Sequence, residues 1–259
     1  MTIWSTLKLA MRALLRNWVR SLLTMFGIVF GISAVIAMVS AGQGAQDAVR
    51  QVFDNLGTNV LIVTNGSAPT SGAAGGAGSR ASLTWKDLDA ITEPGAIPTL
   101  KWAAPVLTSR SQQVASDNAN WNTSISGTTA TWFKIRNWPA VQGSLFDDDA
   151  GSSKVAVIGH TVEKELFPTG GAIGQTIRIA SQPYEVIGVL DIKGEGPGGD
   201  NDDFIAIPVK TYLQKFDHSG VQKYINRGQI VVTMYSDDQA EQTIASLTNL
   251  LREQHKLDA

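Results

Sequence analysis

The side chains best suited to chemistry in this 259-residue chain are three histidines and two groups of aspartates, and their spacing argues against a reaction centre. His160, His218 and His255 share no metal-ligand spacing, and no His-Glu-x-x-His pair is present. Asp147, Asp148 and Asp149 follow a turn at Gly143, and Asp200, Asp202 and Asp203 follow the glycine-rich stretch 194–200. Six carboxylates could ligate calcium, but the spacing of a calcium loop is missing, so they read as solvated turns and caps. Residues 65–80 hold five glycines and one charge, Arg80. Such a stretch buries too little surface to order itself and reads as a mobile loop; it lacks the lysine of a phosphate-binding loop. There is no Gly-x-Ser-x-Gly elbow, and zero cysteines exclude disulfides, thiolate metal sites and a cysteine nucleophile. No catalytic residue, cofactor or metal is expected.

The elements around these residues explain more than the residues do. Residues 21–46 carry no charge, and Ser21 to Gly42 is a run of 22 apolar or small residues. As a helix it reaches about 33 Å, enough to cross a hydrocarbon core of about 30 Å. Lys8, Arg12, Arg16 and Arg20 precede it, and the first acidic residue is Asp47. Flanking cations are retained in the cytoplasm, so residues 1–20 are expected inside and residues 47 onward outside. Val39-Ser40-Ala41 resembles a cleavage site, but the basic region and the apolar run are both too long for a removed signal. With those four cations set aside, the net charge of −2 becomes −6 over the remainder, an ordinary soluble surface that argues against nucleic acid.

Three helical roles follow in order. In residues 1–20, Leu7, Met11, Leu14 and Trp18 fall within about 60° of arc while the four cations occupy another 120° or so, as in a helix lying on a membrane surface. In residues 21–42, Gly27 and Gly31 form one small-residue row, and Ser33, Ala37 and Ala41 form another. Small residues one turn apart let a second membrane helix approach closely, which a lone anchor does not need. In residues 43–58, Ala45, Ala48, Val49, Val52, Phe53 and Leu56 keep a helical period up to Gly57, so 21–56 can run as one rod of about 54 Å. A break at Gly42 and Gly44 is the alternative.

Beyond the rod, the fold class is α+β. Strands are expected at Asn59–Thr64, Lys101–Leu107, Ser111–Ser116, Asn122–Gly127, Lys154–Gly159, Gln175–Ile179, Tyr184–Leu190 and Gly228–Tyr235, with an edge-like strand at Phe204–Ile207. The pair at 175–190 reads as a hairpin turning at Ser181-Gln182-Pro183. Thr84–Ile91 reads as a helix capped by Thr84 with Asp87 three residues on. Helices are also expected at His160–Phe167 and at Asp238–His255, the latter with Ile244, Leu247 and Leu251 inward, and a helix or turn at Thr131–Ile135. Trp85, Trp102, Trp121, Trp132 and Trp138 are candidates for core packing. This order suggests an α+β domain over 59–119 and 216–259, interrupted by a small β-rich insertion over 120–215.

Several strings together resemble one family. They are Arg16-Asn17 with Arg20-Ser21-Leu22-Leu23-Thr24, Gly27-Ile28, Gly31, Gly42-Gln43-Gly44-Ala45, and Leu56 to Leu61. Gly143-Ser144-Leu145-Phe146, Val155 to Gly159, Leu166-Phe167-Pro168, Ile173 to Ile177, Tyr184 to Val189, and Asp202-Asp203 complete the set. In that order the chain resembles the MacB/FtsX-like permease subunits of ABC transporters, with the MacB-type periplasmic core domain. The resemblance implies a non-catalytic permease in the bacterial inner membrane, with its N-terminus cytoplasmic and its main domain periplasmic or extracellular. It implies pairing with a cytoplasmic ABC ATPase, a homodimer or partner permease, and in some members a periplasmic adaptor. ATP-driven motion would pass through the membrane helices for export or efflux. It also implies a porter-like α+β part with an inserted β-rich part.

Family members carry four membrane helices, whereas this sequence has one and stops at Ala259. The expectation is therefore a truncated permease, or a subunit completed by another polypeptide. A single-pass, membrane-anchored ligand-binding or sensor module is the alternative from a different class.

Overall fold

The computed structural model describes residues 3–56, 59–65, 69–70, 73–74, 82–196, 199–216, 225 and 228–256. Two compact units divide it, Met1–Val52 and Phe53–Ala259.

The first unit is helical. Helix α1 (Ile3–Arg16) ends at a turn at Asn17, and α2 (Trp18–Leu56) then runs 39 residues without a break. Gly42 and Gly44 therefore do not interrupt the rod, which at 1.5 Å per residue is about 58 Å long. The break at Asn17 places Trp18, Val19 and Arg20 on the long helix rather than on the surface helix. Within α2, Trp18–Gly44 is long and apolar enough to cross a membrane, with none of it buried. Thr24 is accommodated because its hydroxyl donates to the Arg20 and Ser21 carbonyls at 3.0 and 2.9 Å. Gly57 lies outside the described residues.

The second unit contains, in chain order, β1 (Val60–Thr64), β2 (Pro69–Thr70), β3 (Ala73–Ala74), α3 (Trp85–Thr92), β4 (Leu100–Ala115), β5 (Asn120–Thr128), α4 (Ala130–Ile135) and β6 (Ala140–Gly143). Then follow β7 (Val155–Ile158), α5 (His160–Leu166), β8 (Thr176–Ile179), β9 (Gln182–Leu190), β10 (Glu195–Gly196), β11 (Gly199–Asp200), β12 (Phe204–Pro208), α6 (Val209–Phe216), β13 (Gly228–Met234) and α7 (Ala240–His255). Among the described residues, nine strands form one sheet in the order β1-β13-β4-β5-β12-β7-β9-β6, with β8 joining β4 to β9. The pairings β4–β5–β12–β7–β9–β8–β4 close a ring.

Alternation along the strands produces two cores from one sheet. Val114, Ile125, Ile158, Ile177, Val186 and Ile205, one from each ring strand, belong to a single buried cluster, as expected of side chains filling a closed ring. Leu83, Ile91, Val162, Leu166, Tyr212, Leu213 and Leu247, on or beside α3, α5, α6 and α7, join that inner cluster. The intervening residues Val106, Val157, Leu190, Phe204, Ala206 and Val231 face the other way, into an outer cluster with Trp132, Phe133, Trp138 and Phe146. Helix α3 starts where sequence places it: Thr84 Oγ1 accepts from Asp87 N, and Asp87 Oδ2 accepts from Thr84 N at 2.7 Å.

Several expectations change. Lys101–Leu107 and Ser111–Ser116 are one long strand, β4, bent by an irregularity between Ser109 and Gln112 where Ser111 has φ 55°. Polar residues at the bend made it read as a break. Phe204–Ile207 is not an edge: β12 is fully buried between β5 and β7. Pro208 is tolerated because it ends the strand, past the last residues paired to β7. The β8–β9 hairpin turns at Ala180-Ser181, both with positive φ, rather than at 181–183. Ile244 is 49% exposed, and Thr243 takes the inward position with its hydroxyl 2.6 Å from that of Thr99. In the stretch 65–80, Pro69–Thr70 pairs with Ala73–Ala74, and most of the remainder lies outside the described residues. The boundary drawn at residue 120 falls between two strands, β4 and β5, that pair along most of their length.

Candidate functional site

On α1 and α2, Lys8, Arg12, Arg16 and Arg20 are all exposed. Gly27, Gly31, Ser33, Ala37 and Ala41 are exposed on α2, and a Cβ added at either glycine would meet nothing within 4 Å. Helical geometry puts Gly27 next to Gly31, and Ser33, Ala37 and Ala41 on a neighbouring row. The two rows together span about 160° of the helix surface.

The aspartates serve the turns. Asp148 Oδ2 accepts from Thr131 Oγ1 at 3.1 Å and Oδ1 from Thr131 N at 3.2 Å, tying the start of α4. Asp202, buried, accepts from the backbone N–H of Lys193 and of Gly194 at 2.9 and 2.8 Å. Asp200 accepts from Thr161 Oγ1 at 2.6 Å and Asp202 N at 2.8 Å, and Asp203 from Trp121 Nε1 at 2.8 Å. Among the described residues no group of three or more His, Asp or Glu is arranged to hold a metal. His255 Nε2 lies 2.9 Å from Asp87 Oδ2, joining the end of α7 to the cap of α3. His160 Nδ1 is 3.5 Å from Glu163, and His218 lies outside the described residues.

The outer side of the sheet holds a feature that sequence reading missed. A cleft of about 420 Å³ has its floor on five adjacent strands, β1, β13, β4, β5 and β12. Val60, Ile62, Val106 and Val231 give it apolar ground; Thr108, Ser124, Ser126 and Gln229 add polar groups. Trp132, Trp138 and Phe204 wall it, with Phe204 5.8 Å from Trp132 and 5.1 Å from Trp138 between ring centroids. Arg136, one turn after Trp132, holds its guanidinium 5.8 Å from the centroids of both indoles. Lys193 Nζ sits 4.9 Å over Trp138 and donates to the Arg136 carbonyl at 2.7 Å.

Two cations on one indole make this corner electrostatically tense. Burial lowers the Arg136 pKa from its ordinary value. Burial, and then the charge of Arg136, lower Lys193 to about 8, against the opposing pull of Asp202 and Asp191. The Trp132, Arg136 and Trp138 spacing was visible in the sequence. The arrival of Lys193, 57 residues later, was not.

The profile of the MacB-like periplasmic core domain matches residues 21–250, most of the chain. The chain belongs to the MacB-like periplasmic core domain family. One relative is the macrolide export ATP-binding/permease protein MacB of Syntrophobacter fumaroxidans, 37% identical over 207 residues, covering 78% of this chain and 28% of the relative. Another is the pyoverdine export ATP-binding/permease protein PvdT of Pseudomonas putida, 33% identical over 257 residues, covering 97% of this chain and 37% of the relative. The chain thus spans about a third of the length of the curated relatives it matches. Among solved structures, the periplasmic region of MacB from Actinobacillus actinomycetemcomitans superposes with a TM-score of 0.61 at 23% identity, over 78% of this chain and 86% of that one. The extracellular domain of the noncanonic ABC-type transporter YknZ from Gram-positive bacteria gives 0.60 at 17% identity, over 77% and 96%. These two likenesses establish a shared MacB-type fold.

Proposed function

We propose that this chain supplies the first membrane helix and the periplasmic body of an ABC-type export permease, and that the body transmits motion rather than catalysing a reaction. The observation that carries this reading is the extent of the family match. It begins inside α2 and ends inside α7, so one family accounts for both the apolar span and the α+β domain. ATP hydrolysis is assigned to a cytoplasmic ABC ATPase. Lys8, Arg12, Arg16 and Arg20 keep the N-terminus on the ATPase side, because basic flanks resist transfer across the bilayer. Residues 43–58 act as a stalk: Leu56 and Val60 are three linking residues apart, so displacement of the helix loads β1 and, through its five-residue ladder, β13. The β-rich part over 120–215 and the α+β part over 59–119 and 216–259 form the exterior body, which an adaptor protein would meet. Gly27, Gly31, Ser33, Ala37 and Ala41 form the face on which a second copy or a partner permease helix packs.

The test is co-purification from membranes. Exchanging Gly27 and Gly31 for leucine should remove partner membrane subunits from the tagged chain while its own membrane insertion persists; undiminished recovery of partners would overturn the packing role. A reporter fused after Ala259 should be active on the outer side, and cytoplasmic activity would reverse the topology.

A further inference from the structure

The cleft on the outer side of the sheet combines an apolar floor, an aromatic wall and a half-buried cation. A transmission role by itself requires none of these. We propose that this cleft binds an amphiphilic organic anion, with its apolar body on Ile62, Val106 and Val231 and its acidic group against the guanidinium of Arg136. The site lies within one copy of the domain, so it holds whether or not the bound molecule is cargo.

Size and lining fit such a ligand. About 420 Å³ is within the range of small-molecule sites, which pair a mostly apolar surface with a few convergent polar groups. The floor is open where α4 does not reach it: Ile62 is 52% exposed although it stands beside Val231 in the β1–β13 ladder. Charge sets the sign of the ligand. Arg136 lies on two indoles with Lys193 against the same Trp138; burial lowers the pKa of both cations, and the charge of Arg136 lowers Lys193 further. An anion entering the cleft offsets both effects, and a guanidinium fork suits a carboxylate or sulfonate.

Asp200 and Asp203 also line the cleft, but their carboxylates already accept hydrogen bonds from Thr161, Asp202 N and Trp121. Their negative charge disfavours an acid beside them and so favours its placement at Arg136. The neighbouring hollow around Ser109, Arg110 and Gln112 lacks this aromatic wall and makes a poorer site.

The chain reconstituted in nanodiscs can be titrated with 2-naphthoate, read by quenching of tryptophan fluorescence, with empty nanodiscs as the blank. Saturable binding at one site per chain is expected, weakened at least tenfold by Arg136→Gln and less by Arg136→Lys. The cationic analogue 2-naphthylmethylammonium should bind at least tenfold more weakly than the acid. Equal binding by Arg136→Gln, or tighter binding of the cation, would overturn the proposal. Should Arg136→Gln not fold, Thr108→Leu narrows the cleft from its floor and leaves the cation in place; unless it too weakens binding tenfold, the proposal fails. None of these readouts uses transport, so a negative result leaves the export reading standing.

Discussion

The inner and outer sides of the sheet are made from alternate residues of the same strands, yet they are finished differently. Inside, aliphatic side chains from the ring strands meet residues on or beside α3, α5, α6 and α7, and Ala156, Ile158, Ile177, Ile205 and Ile230 have no exposed surface. Outside, one six-residue helix, α4, covers part of the sheet, the packing is aromatic, and five strands are left with a cleft above them. The difference separates two tasks. The closed side makes the sheet rigid, and the half-covered side leaves apolar and charged groups where a ligand can reach them.

Substitutions can break or sharpen this contrast, and the largest effect is expected where the closed side is emptied. Ile158→Ala should lower unfolding free energy by about 2–5 kcal/mol, because a filled ring cannot collapse around the void. Ile62→Ala removes the same atoms from the open side and should cost about 0.5 kcal/mol or less. Equal losses in urea unfolding would show that the outer side is sealed as tightly as the inner.

A smaller effect is expected at the helix that helps close the inner side. Thr84→Ala deletes half of the capping box and should cost about 1 kcal/mol, seen as a lower urea midpoint at unchanged slope. The smallest is a pH effect on the outer side. Lys193 has its folded pKa lowered from 10.5 to about 8, so between those values the unfolded chain holds more protons than the folded one. Stability should therefore rise with pH across that window, and below pH 8 the full penalty of this half-buried charge applies. Lys193→Met should flatten the rise, as followed by thermal unfolding at several pH values; an unchanged slope would assign it to other groups.

Features that depend on neighbours in sequence were legible, and those made by distant pairings were not. The capping box at Thr84 and Asp87 closes within one turn of helix, so it could be read directly. The long α2 was legible because its apolar run and helical period are continuous. In contrast, Phe204–Ile207 is short and followed by proline, and only its pairing to β5 and β7 makes it central. Strand β4 looked like two because Arg110 and Ser111 are polar at a bend that long-range pairing holds together. Ile244 and Thr243 exchanged places because the hydroxyl pair with Thr99, 144 positions away, favours the threonine inward. The cleft was the least legible: its strands are adjacent in space but scattered from residue 60 to residue 231.

The order of manufacture bears on the outermost strand. Among the described residues β1 pairs only with β13, and the closing hydrogen bond joins Thr233 to the Asn59 carbonyl across 174 positions. A ribosome adding about 5–20 residues per second needs on the order of ten to thirty seconds to span that gap. Throughout that interval β1 has emerged without its partner, an apolar strand with unpaired amides in a chain that is also entering a membrane. Final assembly must wait for the last strand to be made, which favours slow maturation.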